Sequence, residues 1–539
     1  MIKRFSWIVS LAGVLALVAW ASGSAALAAP NPVVVQVSQG PSPLAACSAQ
    51  DGSLIGRNFL NGLTEPQLAV HGSSMIAQWH QDRWSSGGAH GIGVGVSSDG
   101  GATWKESTFP DDFCTVPSTS PLSVYFRSSD PWVSFGPDGT AYSSALSFNV
   151  VQPNNFNAVT VASSTNGGAT WDNVQRIPGS VFTTASQSTD KNSTTADPVK
   201  AGTAYTVWDT LVLPTDNPDD NPHTQAFTGP AFFSKTTDGG KTWSQAQIII
   251  NTGERQQTIG NIIVVDARKT AAAPNGTLFD FTDLILPPNT PRRGTRSNSQ
   301  LAFVKSTDGG NTWSAPQLIA PFNSLGVIDP NTGERLRVGD GLEEVAIDPT
   351  TGKLFVVWES STQFEKQLNL STGVWDDEIL MTTSSDSGDH WTTPTVVHKL
   401  ASGLPTYTPT VAFNNGTVAV TYYDTRNLTP GQTANLPTDY WVSFSKDGGA
   451  TFGGEQHIAG SFDQRTAPVA RGFFLGDYEG LQPSGGGFQA LFVKTNCNAL
   501  AAGGQVFPTG GLCAPASSNV TPTSNTRPTD VFTARLTAP

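Results

Sequence analysis

Ser97-Ser98-Asp99-Gly100-Gly101-Ala102-Thr103-Trp104 decides how this chain is read, because five further segments repeat it in register. They occupy residues 164–171, 236–243, 306–313, 384–391 and 445–452, each with Asp or Asn third, Gly fifth and Trp or Phe eighth. One copy would be weak; six in register are strong. The pattern is that of a hairpin turn: Asp or Asn accepts backbone N–H bonds inside the turn, Gly takes the positive-φ position, and the aromatic ring packs back between the strands. Because that chemistry is used up within the turn, the box reads as a structural staple and not as a site.

On these six boxes the chain resembles the Asp-box, or BNR-repeat, proteins, the broad group that includes the sialidases. The resemblance runs over nearly the whole chain after the first 28 residues. It implies a β-propeller in which each box joins the third and fourth strands of a blade, on the face away from the active site. Around the boxes a four-strand order recurs: a third strand leads in, as at residues 91–96, 230–235 and 440–444, and a fourth leads out, as at 243–250. A two-strand hairpin precedes them, starting near Glu65, Asp130, Asp190, Gly260, Asp340 and Pro409. A seventh hairpin without a box follows, at residues 476–481 and 488–493, with a third strand at 530–536. Residues 33–38, Val-Val-Val-Gln-Val-Ser, look like an outgoing fourth strand and would complete it, removing open edges. The expectation is a single all-β propeller over residues 29–539, of seven four-stranded blades with six as the alternative, closed by the N-terminal strand. Residues 214–223, 287–295 and 496–529 read as surface loops.

Composition agrees with strands and turns. The 539 residues carry 54 Gly and 37 Pro but only 30 Lys and Arg, with a formal net charge of −13. A chain of this length exceeds one ordinary core, which a repeat array solves by adding units. The acidic balance makes nucleic acid and anionic membrane poor partners. Lys3 and Arg4, an apolar run over residues 8–20 and Ala26-Leu27-Ala28 read as a secretory signal peptide over residues 1–28, so the mature chain is expected to be exported, soluble and monomeric. Export permits disulfides, and four Cys allow three pairings, of which Cys47–Cys114 with Cys497–Cys513 is preferred. No Gly-Xaa-Ser-Xaa-Gly elbow, His-Glu-Xaa-Xaa-His, phosphate loop or Cys-Xaa-Xaa-Cys occurs, so no cofactor is expected, a structural calcium ion being the one addition left open.

In this topology the starts of first strands and the ends of second strands share one face around the channel. Glu65, Asp130, Asp190, Asp340 and Asp477 open first strands; Asp82-Arg83-Trp84, Trp208-Asp209, Trp358-Glu359 and Tyr423-Asp424 close second strands. Carboxylates converging on a channel raise each other's pKa unless they are solvated, paired or bound to a cation, which makes this face the site candidate. Singly, each such Asp is an ordinary turn cap. The candidates for chemistry are Asp82, Asp130, Asp340, Asp424, Asp477 and Tyr478, with Arg83, Arg127, Arg426, Arg471 and Trp84 gripping the substrate. The resemblance implies a glycoside hydrolase of the exo-sialidase kind, with a Tyr nucleophile assisted by Glu, an Asp acid and an arginine cluster for the substrate carboxylate. Tyr478 with Glu479, or Tyr423 with Glu343, would supply the nucleophile pair. The sialidase Arg-Ile-Pro signature is absent near the first blade, and Tyr125-Phe126-Arg127 at the second offers an Arg close to Asp130. The alternative is a propeller that binds glycan or protein without catalysis.

Overall fold

The structure, a computed structural model, describes residues 32–47, 56–149, 156–184, 186–215, 228–287, 298–324, 326–361, 377–400, 404–495 and 529–539. Among them there is no α-helix, and a 3₁₀ turn at Gln464–Thr466 is the only helical element. The signal segment and Cys497 and Cys513 lie outside the described residues, as do most of the expected loops at 214–223, 287–295 and 496–529.

Strands pair antiparallel in groups of four. The first group runs Thr64–His71, Ser74–Arg83, Ala89–Ser97 and Lys105–Thr108, with the first box joining its last two strands. The same order recurs from the strands Arg127–Phe135, Gln187–Ala196, Gln256–Asp266, Glu343–Ile347 and Thr406–Asn414. After the last box, Gly480–Ser484, Gly487–Thr495 and Thr529–Leu536 form three strands, and Val34–Gln36 pairs with the third of these, Val34 opposite Ala534. Ser38 anchors this strand: its Oγ donates to Asp530 Oδ1 at 2.8 Å and accepts from Val531 N at 3.1 Å. First strands touch in cyclic order, and Thr64–His71 packs against both Arg127–Phe135 and Gly480–Ser484. This is a propeller arrangement of inner strands around an axis.

The described residues form several apolar clusters and no single core. Apolar residues form slabs between neighbouring units, which is how a repeat array buries surface. The box aromatics are the wedges of these slabs and reach farther than their own hairpin. Trp171 meets Phe109 of the preceding unit at 5.3 Å, Trp313 meets Phe233 at 5.2 Å, and Trp391 meets Phe281 at 6.0 Å. Trp104, in the first unit, shares a slab with Phe488 and Phe492 of the last. The boxes themselves are built as their spacing requires: Asp238 Oδ1 accepts Thr242 N at 3.0 Å, and Thr236 Oγ accepts Gly240 N at 3.0 Å.

Two tertiary features have no repeat counterpart. Cys47 and Cys114 are joined by a disulfide. A small sheet of Val327–Ile328, Arg335–Arg337 and Phe473–Phe474 ties the segment before the fifth unit to the segment before the last, Arg337 pairing in parallel with Phe474. At that junction Gly339 is forced, since a Cβ there would sit 1.9 Å from Asp477 O.

Candidate functional site

Five of the inner strands each break their register at one place, while Glu343–Ile347 and Gly480–Ser484 pair without a break. Shifts fall between Thr64 and Gln67, Ser129 and Trp132, Asp190 and Ser193, Ile259 and Ile262, and Tyr407 and Thr410. These are β-bulges, which bend the strand and re-aim side chains. The bulges put Glu65, Asp130, Lys191 and Thr408 at φ of 54°, 48°, 43° and 50°, a strained region for such residues. Pro66, Pro131 and Pro409 occupy the second bulge position, where no ladder N–H is required.

The bulges turn Glu65, Asp130 and Lys191 together, and Asp477 joins them from the last unit. Lys191 Nζ lies 3.1 Å from Glu65 Oε1, 3.3 Å from Asp130 Oδ1 and 2.8 Å from Asp477 Oδ2. Arg337 grips Asp477 with Nε at 3.1 Å and Nη2 at 2.6 Å. His80 is fixed between two units: Nδ1 is 2.7 Å from Glu65 Oε2, while Nε2 accepts the Asp130 N–H at 3.0 Å. An Nε2 that accepts carries no proton, so the ring is neutral and donates to Glu65 through Nδ1. Burial, which outweighs Glu65, likewise lowers its pKa.

The electrostatics separate the carboxyls. Burial raises Glu65 and Asp477, but Lys191 and His80 pull Glu65 well below the usual range, and Arg337 and Lys191 lower Asp477. For Asp130 burial wins over Lys191 and pushes the carboxyl up to about 7. Lys191 itself is lowered by burial yet held well above its usual value by Asp130, Asp477 and Glu65.

Beside this cluster opens a pocket with an empty volume of ≈ 420 Å³, solvent at its mouth included. Lys191, Asn192, Asn261, Glu343, Glu344, Asp477, Tyr478 and Trp132 are among its walls, contributed by five units. Burial pushes Glu344 up to about 8, and burial with the neighbouring Asp283 raises Glu343 well above its ordinary value. Trp132 and Tyr478 form an aromatic corner with ring centroids 5.5 Å apart.

Of the residues expected from sequence, Asp130, Asp477 and Tyr478 meet here. Arg83 is nearby but buried, its Nη1 donating to the carbonyls of Trp84 and Gly88 and its guanidinium 5.2 Å from the Phe474 ring. Burial, and then Arg337, lowers it to about 10. Arg471 is exposed and within electrostatic reach of Arg337 and Asp477. The remainder sit elsewhere. Asp82 braces the N-terminal loops, accepting Ser42 Oγ at 2.5 Å and Asn61 N at 2.7 Å. Arg127 lies over Trp84 at 4.5 Å and donates to Gly87 O at 2.7 Å. Asp340 faces Arg335 at 3.6 Å. Asp424 and Arg426 form a separate network with Glu455 and His398, Arg426 lying over Trp441. Neither expected nucleophile pair forms: Tyr423 donates to Glu479 at 2.8 Å, and both are buried away from the pocket walls.

One of the carboxylates that close second strands has a different task from lining a channel. Glu359 Oε2 accepts Thr408 N at 3.4 Å, the bulge N–H of the next unit, as His80 does for Asp130. Asp209 lies near the Gly260 N–H, but neither of its buried carboxyl oxygens makes a hydrogen bond. Glu359 and His80 are clasps between neighbouring units. Sequence reasoning passed over Lys191, Arg337 and, as site members, Glu65 and His80. The signal available was the in-strand proline: Pro66, Pro131 and Pro409 mark a bulge position that Lys191-Asn192 and Gly260-Asn261 share.

No protein-family model and no curated protein matches this chain. Solved structures do. The phage phi92 endosialidase is 10% identical over 94% of this chain and 69% of its own, with a TM-score of 0.43. An α-L-arabinanase of Penicillium chrysogenum is 13% identical over 73% of this chain and 94% of its own, TM-score 0.42. The sialidase of Trypanosoma rangeli is 12% identical over 68% of this chain and 53% of its own, TM-score 0.39. At such distances they bear on neither substrate nor reaction.

Proposed function

We propose that this chain is an exported seven-bladed propeller, closed by its N-terminal strand, that binds carbohydrate in the channel pocket and hydrolyses a glycosidic bond there. The observation that carries the reading is a pair of carboxyls lining one pocket and pushed in opposite directions: Asp477 lowered by Arg337 and Lys191, and Glu344 raised by burial to about 8. That separation is what acid and base roles at neutral pH require. Glu344 is the proton donor to the leaving oxygen, Asp477 the anionic partner, and Trp132 with Tyr478 the stacking surface for a sugar ring.

The test is a panel of aryl glycosides, sialosides and arabinosides included, read for release of the aryl group. Glu344→Gln and Asp477→Asn should each lower kcat by roughly 10²–10⁴-fold, the usual worth of general acid–base catalysis. Unchanged turnover in both variants moves the reaction elsewhere. Sialosides test the sialidase resemblance directly: Arg337 and Arg471 would have to meet the sugar carboxylate, and Arg337 is already committed to Asp477. One observation favours a second reading, a binding propeller without turnover: Glu65, Asp130 and Asp477 all contact Lys191. Glycan binding by a protein inert on the whole panel would favour it.

A further inference from the structure

The pocket has two electrically different sides. On one, Lys191 and Arg337 balance Glu65, Asp130 and Asp477. On the other, burial raises both Glu343 and Glu344, and the charged neighbours that act most on Glu343 are Asp283, Asp280 and Glu344. Both Glu343 carboxyl oxygens are buried without a hydrogen-bond partner. The same holds for Asn261, 1% exposed, whose Oδ1 and Nδ2 are both unpartnered, and for Asn192 Oδ1 and the Tyr478 hydroxyl. All four residues are pocket walls. Unsatisfied buried polar groups are costly, and their gathering around one pocket is the imprint of a polar ligand that completes them. Two uncompensated carboxyls favour a cation among such ligands, amide atoms and a phenol favour hydroxyls, and the Trp132–Tyr478 corner favours the apolar face of a pyranose ring.

We propose that the pocket selects a protonated amino sugar, with the ammonium against Glu343 and Glu344, hydroxyls on Asn261 and Asn192, and the ring on Trp132 and Tyr478. This rests on the carbohydrate reading of the pocket but needs no turnover. Binding of a ligand cation ionises the two glutamates, so an amino sugar seated this way is held without Glu344 acting as proton donor, and neutral or acidic counterparts of the same sugar gain less.

The experiment is calorimetric titration of the full mature chain at pH 6.5 with glucosamine disaccharide and trisaccharide, their N-acetylated forms, and a sialyl trisaccharide. The deacetylated series should bind at least about tenfold more tightly than the N-acetylated one. Glu343→Gln and Glu344→Gln should erase that preference; each replaces a carboxyl by a neutral isostere of the same shape, and an unchanged melting temperature verifies folding. Equal or tighter binding of the N-acetylated or sialyl sugars overturns the inference, as does a preference that survives both substitutions. Calcium binding abolished by the same substitutions also overturns it, by giving the wall to a metal. Failure of all these sugars combined with turnover of another glycoside would end the amino-sugar assignment while leaving the hydrolase reading intact.

Discussion

Lys191 shows what a single residue can hold together. Its ammonium meets carboxylates 126, 61 and 286 residues away, on three other units. Removing one partner of a buried charge cluster leaves the rest uncompensated, so Lys191→Met should destabilise by about 3–5 kcal/mol in urea unfolding at pH 8. The loss should shrink at pH 5, where carboxyls freed of Lys191 take up protons. An equal loss at both pH values would mean that Lys191 acts through packing alone. This residue was invisible in the sequence because neither its bulge nor its partners are local; Asp130 and Asp477 stood out only as acidic residues at strand starts.

At the scale of the element, the boxes and the N-terminal strand divide the work of closure. Val37 is wholly buried, and its N–H donates to Val531 O at 2.8 Å. Deleting residues 29–40 should therefore expose the edge strand Thr529–Leu536 and lower the melting temperature of the whole chain cooperatively, not as a separate local step. A local step preceding the main transition would show that the last unit is held independently. Trp104 guards the same seam from the other side, and Trp104→Ala should cost about 3–5 kcal/mol, as for core aromatics generally. The box aspartates work differently. Bonds from Thr103 hold Asp99 down at about 2, and Asp386 is likewise held at about 2 by His390. A lowered folded-state pKa stabilises above the unfolded value near 4 and is lost as pH falls through 2. Asp238→Ala should lower the melting temperature at pH 7 and leave glycan affinity of the folded protein unchanged; lost affinity without lost stability would make the boxes functional.

For the molecule as a whole the opposite sign dominates above pH 4. Burial raises Asp112 to about 6, Asp530 to about 6, Glu106 and Asp130 to about 7, and Glu344 to about 8. A raised carboxyl pKa means that the folded state binds the proton more tightly. Its stabilising effect is complete below the unfolded value near 4 and is lost as pH rises through 6–8. Glu65, Asp477 and the boxes oppose this only below about pH 4. The melting temperature should thus peak near pH 4–5 and fall toward pH 8, with the net charge of −13 adding self-repulsion on the same limb. A melting temperature that rises between pH 5 and pH 8 would contradict the protonated state of these carboxyls.

Six copies of one turn were enough to determine an all-β repeat protein from its sequence, because a hairpin staple is local: its donor, acceptor, glycine and ring all lie within eight residues. The four-strand order around each box was legible for the same reason. The site was not. Asp477 is completed by Arg337 across 140 residues and by Lys191 across 286, and His80 joins Glu65 to a bulge N–H 50 residues on. Such partners come together only when the inner strands stand side by side around the axis, and their bulges, which no periodicity of side chains encodes, decide which groups face the pocket. The same closure turned Glu359 from an apparent channel acid into a clasp between units. Charge alone could name the acids, but only their placement against Lys191, Arg337 and one another decides which are ionised.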